Sequence, residues 1–204
     1  MKIVILGGTF NPPHNGHLRI LKAAAKAVDA DVMLMIPAGL PPHKSNDGVV
    51  SAKHRLALCR LAAKEIGAEV SDMEIKREGP SYTVLTLEQL RETAPDAELY
   101  TTMGADMLVT LKTWYRYADI IRLAGIIGTY RSDTDPAVFD KSAEEVRSDG
   151  GQVILLPLSP DNISSTGIRK SILSGDDIKN EVPESVADYI RQHGLYKTYG
   201  KEPV

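Results

Sequence analysis

Two histidines three positions apart, His14 and His17, close the segment Gly7-Gly8-Thr9-Phe10-Asn11-Pro12-Pro13-His14-Asn15-Gly16-His17. A short apolar run precedes it and a helical pattern follows, so it falls at the carboxyl end of a strand, where open α/β sheets bind ligands. Gly7 and Gly8 let a ligand approach the backbone closely. A helix starting near Gly16 and His17 presents unpaired N–H groups and a partial positive charge, which suits a triphosphate. His14 and His17 beside it could donate hydrogen bonds to phosphate oxygens. The segment lacks the G-x-G-x-x-G dinucleotide fingerprint and the Walker G-x-x-x-x-G-K-[ST] loop. The histidine pair could also ligate a metal, but no third ligand stands at characteristic spacing. Either histidine alone could be a surface residue on a Gly-Pro turn, a reading that fits the whole segment poorly.

The elements that must hold this segment alternate. Residues 3–6, 32–36, 99–103, 125–129 and 153–156 read as buried strands, each a short apolar run without polar alternation. Between them lie helix candidates at 17–28, 52–66 and 84–92, a pair across 106–123, and one from Pro136 to about Arg147. The pattern predicts an α/β fold, a doubly wound, mostly parallel sheet covered on both faces. Two helices at 165–173 and 183–193, capped by Gly194, follow without a further strand, a short C-terminal helical appendix. One domain over 1–204 is therefore expected, with an α/β core over about 1–160 and the helical part over about 161–204. Residues 39–50 and 131–135 are expected to be mobile.

Composition narrows the function classes. A hydrophobic share of 43% and a charged share of 25% are ordinary for a globular protein. A formal charge of -3 offers no general basic field, so no nucleic-acid partner is expected. No apolar run approaches the roughly 20 residues of a membrane span, and the first residues read as a buried strand rather than a signal peptide. Cys59 is the single cysteine, which excludes an internal disulfide and fits a reducing, cytoplasmic compartment. It lies on an apolar stripe with Leu56, Ala63 and Ile66 and reads as core packing.

The His14–His17 segment resembles the H-x-G-H signature of the nucleotidyltransferases. Ile163-Ser164-Ser165-Thr166-Gly167-Ile168-Arg169 resembles that superfamily's second signature, near the other end of the chain. Nearly the full chain is similar to the bacterial nicotinate-nucleotide adenylyltransferases. That narrower likeness rests on Pro41-Pro42-His43-Lys44, Arg77-Glu78-Gly79-Pro80-Ser81-Tyr82-Thr83, Gly104-Ala105-Asp106 and Trp114-Tyr115. Many members carry Asp where this chain has Asn11.

The resemblance implies a Rossmann-like nucleotidyltransferase fold and transfer of the adenylyl group of ATP to nicotinate mononucleotide. Mg²⁺ would come with ATP rather than sit in a dedicated protein site. His14, His17, Lys44 and Arg169 would be catalytic, with His17 at the α-phosphate. Gly7, Gly8, Thr9, Phe10, Gly104, Asp106, Arg131, Ser165 and Thr166 would bind ATP. Ser165 and Thr166 would cap a helix whose N–H groups meet the β- and γ-phosphates, and Arg169 would add a bidentate contact. Lys44 could instead be a solvated charge, and Asp106 a plain helix cap. Thr83, Trp114 and Tyr115 would bind the acceptor, unless the two aromatics are core packing. His54 and His193 look structural. The alternatives are another phosphorylated acceptor, nicotinamide mononucleotide or phosphopantetheine, and a non-catalytic nucleotide sensor. A homo-oligomer is compatible with all of them.

Overall fold

The computed structural model describes residues 1–40, 48–130, 135–158 and 163–197. Among them a six-stranded sheet runs in the order β3-β2-β1-β4-β5-β6, all pairs parallel. The strands are β1 (Lys2–Gly8), β2 (Val32–Pro37), β3 (Glu69–Val70), β4 (Glu98–Gly104), β5 (Gly125–Thr129) and β6 (Val153–Leu156). All five expected strands form. The sixth, β3, was not expected, because two residues paired to Leu34 and Met35 are too few to carry a period.

Side-chain alternation along β1 builds two cores, one on each face of the sheet. Val4 and Leu6 enter one with Leu21, Leu58 and Ile190. Ile3 and Ile5 enter the other with Leu87, Ile120 and Val146. The first core takes helices α1 (Asn15–Val28), α2 (Ala52–Lys64), α8 (Ser165–Ser174) and α9 (Glu184–Gln192). The second takes α4 (Thr83–Thr93), α5 (Ala105–Thr110), α6 (Tyr117–Leu123) and α7 (Pro136–Ser148). The C-terminal helices thus share a core with the first two helices instead of standing apart. A short helix, α3 (Met73–Lys76), follows β3 and was not expected either. No helix among the described residues is long and apolar enough to cross a membrane.

Some boundaries shift for local reasons. α1 begins at Asn15, two residues before His17, because His14 serves as its N-cap. Asp135, expected in a mobile stretch, caps α7 by accepting from the Ala137 N–H, with Pro136 in the first turn. Cys59 is fully buried as expected, and burial pushes its thiol up. The buried stripe of α2 nevertheless runs Arg55, Leu58, Cys59, Ala62, Ala63 rather than through Leu56. Gly194 follows the last turn of α9 with φ 60, a left-handed helix stop.

Strand order reverses at β1, whose neighbours are β2 and β4, and this is where doubly wound sheets open a crevice. The ladder shows the opening directly. β1 stays paired with β2 through Gly8↔Pro37, but its pairing with β4 ends at Ile5↔Thr101. Beyond that point the Thr102 hydroxyl donates to the Ile5 carbonyl at 3.1 Å, replacing the next ladder bond. The last residues of β1 and β4 therefore part around a gap at their carboxyl ends.

Candidate active site

The gap is floored by the turn that leaves β1. Gly7 is exposed, and a Cβ added to it would meet nothing within 4 Å. At Gly8 a Cβ would press on the Phe10 ring at 3.2 Å, so this glycine makes room for a buried aromatic. Phe10 is 2% exposed, holds a left-handed φ of 51, and meets the His17 ring edge-on at 5.0 Å. Thr9 is half-buried and turns its carbonyl inward.

The two histidines form one unit. Their rings stack with centroids 3.7 Å apart, and the His14 backbone N–H donates to His17 Nδ1 at 3.2 Å. That bond has a chemical consequence. Because Nδ1 accepts, a neutral His17 carries its proton on Nε2. The backbone at the start of α1 is mostly occupied: Asn15 N–H donates to the Glu181 carbonyl, and His17 and Leu18 N–H to the His14 carbonyl. Gly16 N–H is the first-turn amide left for a ligand among the described residues.

α8 brings a second helix start to the same turn. Ser165 Oγ donates to the Pro12 carbonyl at 2.8 Å, and Arg169 Nη1 to the Asn11 carbonyl at 2.8 Å. Two expectations change here. The N-cap is Ser164, whose Oγ accepts from Gly167 N–H at 3.0 Å, not Ser165 or Thr166. Arg169, expected to offer phosphate a bidentate fork, has Nη1 on Asn11 and Nη2 on the Thr166 hydroxyl at 3.1 Å. Buried to 9% exposure, it braces the histidine turn from below. Among the described residues no acceptor takes the Ser165 and Thr166 N–H groups.

Asn11 explains its own departure from Asp. Its side-chain amide donates to the Gly48 carbonyl and its oxygen accepts from Val50 N–H. A carboxylate could make the second bond and not the first. Arg55 was not singled out in the sequence at all. It is 2% exposed, and its guanidinium donates to the carbonyls of Thr9, Ala38, Gly39 and Val50. It therefore holds the ends of β1 and β2 and the start of α2 together beneath the crevice.

Across the gap, Gly104 is the N-cap of α5 and Asp106 stands exposed in its first turn. Gly104 rather than Asp106 is thus the cap, and Asp106 is the acidic residue of the first turn, where its charge complements the helix dipole. Farther out, Thr83 is the first residue of α4, where the Leu85 and Thr86 N–H groups go to the Tyr82 carbonyl. Among the described residues no acceptor takes the Thr83 N–H, whereas Val84 is fully buried.

As expected, the helical region 106–123 breaks at Trp114 and Tyr115. A 3-10 turn (Leu111–Thr113) ends at Trp114, and Arg116 adopts φ 55 before α6. Trp114 is half-buried against the second core, while Tyr115 is 53% exposed and packs on Tyr82 at 4.8 Å. Arg116 forks onto Glu88 of α4 and also donates to Asp119, which ties this turn to the acceptor-side helix. His54 and His193 sit away from the gap, in a ring cluster with Tyr189 between α2 and α9. His43, Lys44 and Arg131 lie outside the described residues.

The profile of the cytidylyltransferase-like family matches residues 5–171 of this chain. A relative from Aeromonas salmonicida (strain A449), named "Probable nicotinate-nucleotide adenylyltransferase", is 39% identical over 96% of this chain and 97% of its own. One of the same name from Synechococcus sp. (strain JA-3-3Ab) is 40% identical over 96% and 94%. Among solved structures, the Plasmodium falciparum nicotinic acid mononucleotide adenylyltransferase complexed with NaAD matches with a TM-score of 0.79. It covers 98% of this chain and 99% of its own at 19% identity, a likeness of fold.

Proposed function

We infer the function of this chain from the family to which it belongs, the cytidylyltransferase-like nucleotidyltransferases and, within them, the nicotinate-nucleotide adenylyltransferases. It transfers the adenylyl group of ATP to the phosphate of nicotinate mononucleotide, giving deamido-NAD and pyrophosphate in NAD synthesis. The observation that carries the reading is the meeting of two helix starts, α1 and α8, on one histidine pair at the gap between β1 and β4.

The chemistry fits those groups. An oxygen of the mononucleotide phosphate forms a bond to the α-phosphorus as the bond from that phosphorus to the bridging oxygen breaks. Pyrophosphate leaves with the electron pair. The attacking phosphate is already ionised, so no strong base is needed. Catalysis then rests on alignment and on donors placed where charge grows. His17 Nε2–H donates to an α-phosphate oxygen, with His14 stacked behind it holding the ring. The open Ser165 and Thr166 amides receive the leaving phosphates. Asp106, beside Gly104, accepts from the adenosine portion. Mg²⁺ prefers oxygen ligands, and among the described residues no three acidic, histidine or cysteine side chains cluster to hold a cation. Mg²⁺ brought in with ATP would neutralise charge on the triphosphate oxygens.

On the acceptor side, the Thr83 amide at the start of α4 suits a carboxylate, and the Trp114 indole is the candidate stacking partner of the pyridine ring. An amide substituent would set two donors against that N–H group. We therefore expect kcat/KM for nicotinate mononucleotide to exceed that for nicotinamide mononucleotide by about ten- to a hundredfold. Equal values would remove the carboxylate from the argument. Trp114→Ala should raise the acceptor KM; an unchanged value would remove the stacking.

A further inference from the structure

Beneath the acceptor side lies a buried polar node that the reaction itself does not use. Glu74 of α3 is 7% exposed, and Thr86, in the second turn of α4, is 4% exposed. Thr86 Oγ1 donates to Glu74 Oε1 at 2.6 Å and accepts from Arg77 Nη2 at 2.9 Å. Beside it, Ser81 Oγ accepts from the Gly39 N–H at 2.9 Å and the Leu40 N–H at 3.3 Å, and Ser81 N–H donates to the Leu40 carbonyl at 2.9 Å. One residue thus ties the start of α4 to the chain leaving β2 by three hydrogen bonds. The fit is tight on the other side too, since a Cβ on Gly39 would overlap the Glu74 carbonyl.

We propose that Glu74, bonded to Thr86, and Ser81, bonded to Gly39 and Leu40, are positioning residues for the acceptor: they fix the start of α4 against the chain leaving β2. Ser81 stands two residues before Thr83, and Tyr82 between them carries the ring on which Tyr115 packs. Any drift of the start of α4 therefore moves both the Thr83 amide and the aromatic turn. The node touches none of the histidine turn, Ser165 or Thr166, so the ATP side should not feel it. Burial pushes the Glu74 carboxyl up, and the Thr86 hydroxyl and Arg77 oppose that shift without cancelling it. This inference rests on the functional reading above, which places the mononucleotide beside Thr83.

The test is a comparison of two Michaelis constants in Ser81→Ala, Glu74→Gln and the double variant, each with its melting temperature. Ser81→Ala should raise the KM for nicotinate mononucleotide by about tenfold while the ATP KM stays within about twofold. Glu74→Gln should do the same. The double variant should raise the acceptor KM further than either single one, because the two side chains hold α4 through separate bonds. Ser81→Ala changes no charge and decides the matter if Glu74→Gln does not fold. Equal rises in both constants, or none in either, would overturn the proposal. Wild-type turnover separates the two claims. Failure of the wild type to adenylylate nicotinate mononucleotide refutes the functional reading, whereas normal wild-type turnover with an unaltered Ser81→Ala acceptor KM refutes this inference alone.

Discussion

Replacing His17 with alanine is expected to lower kcat by about a hundred- to a thousandfold, the usual loss when one placed donor to a developing charge is removed. The ATP KM should change by a few-fold at most. The reason is the fixed tautomer: Nδ1 is held as an acceptor by the His14 N–H, so Nε2 carries the proton before ATP arrives. A donor already in place costs no reorganisation during the reaction, and its contribution falls on the transition state rather than on the ground state. His17→Asn, which keeps a donor on a shorter side chain, should recover part of the loss. Steady-state kinetics on the folded variants checks this, and near-normal turnover in His17→Ala would remove the residue from the mechanism.

The second large effect is on stability. Arg55→Met should cost about 3 kcal/mol, since it leaves four carbonyls inside the fold without their donor. Burial draws the pKa of Arg55 below its ordinary value, and no carboxylate among the described residues pairs with it. The carbonyl dipoles of Thr9, Ala38, Gly39 and Val50 therefore take the place of a counter-ion. Methionine matches the length of the stem and loses the head. In a chain of this size the melting temperature should fall by roughly 6–12 °C. A loss below about 0.5 kcal/mol in chemical denaturation, the range of ordinary surface changes, would show that the four bonds are not made in solution.

Arg55 also marks what the sequence could and could not disclose. β1, β2, β4, β5 and β6 were legible because each is a short apolar run, and buried parallel strands need little else. The histidine turn was legible because three glycines, two prolines and two histidines in one stretch have few other uses. An arginine in the first turn of an amphipathic helix has an obvious one, a solvated charge. Only the docking of α2 against the ends of β1 and β2 turns that position inward.

The cap of α8 was missed by one residue for a similar reason. Ser164, Ser165 and Thr166 are three hydroxyl side chains in a row, each a competent cap, and only the helix register selects the first. Arg169 was found by its motif and its partner was not, because the Asn11 carbonyl lies far away in the chain. The node at Glu74 and Ser81 joins three segments by side-chain bonds, which leave no periodic trace in a sequence.

Label at the α-phosphorus of ATP tests the central claim most directly. With nicotinate mononucleotide present, the label should pass into deamido-NAD, with one pyrophosphate released for each dinucleotide formed. Without an acceptor, pyrophosphate should not be released and denatured protein should carry no label, because Cys59 is buried and the histidines act as donors. Transfer of the label to phosphopantetheine instead, pyrophosphate release from ATP alone, or label retained on the denatured chain would contradict the account.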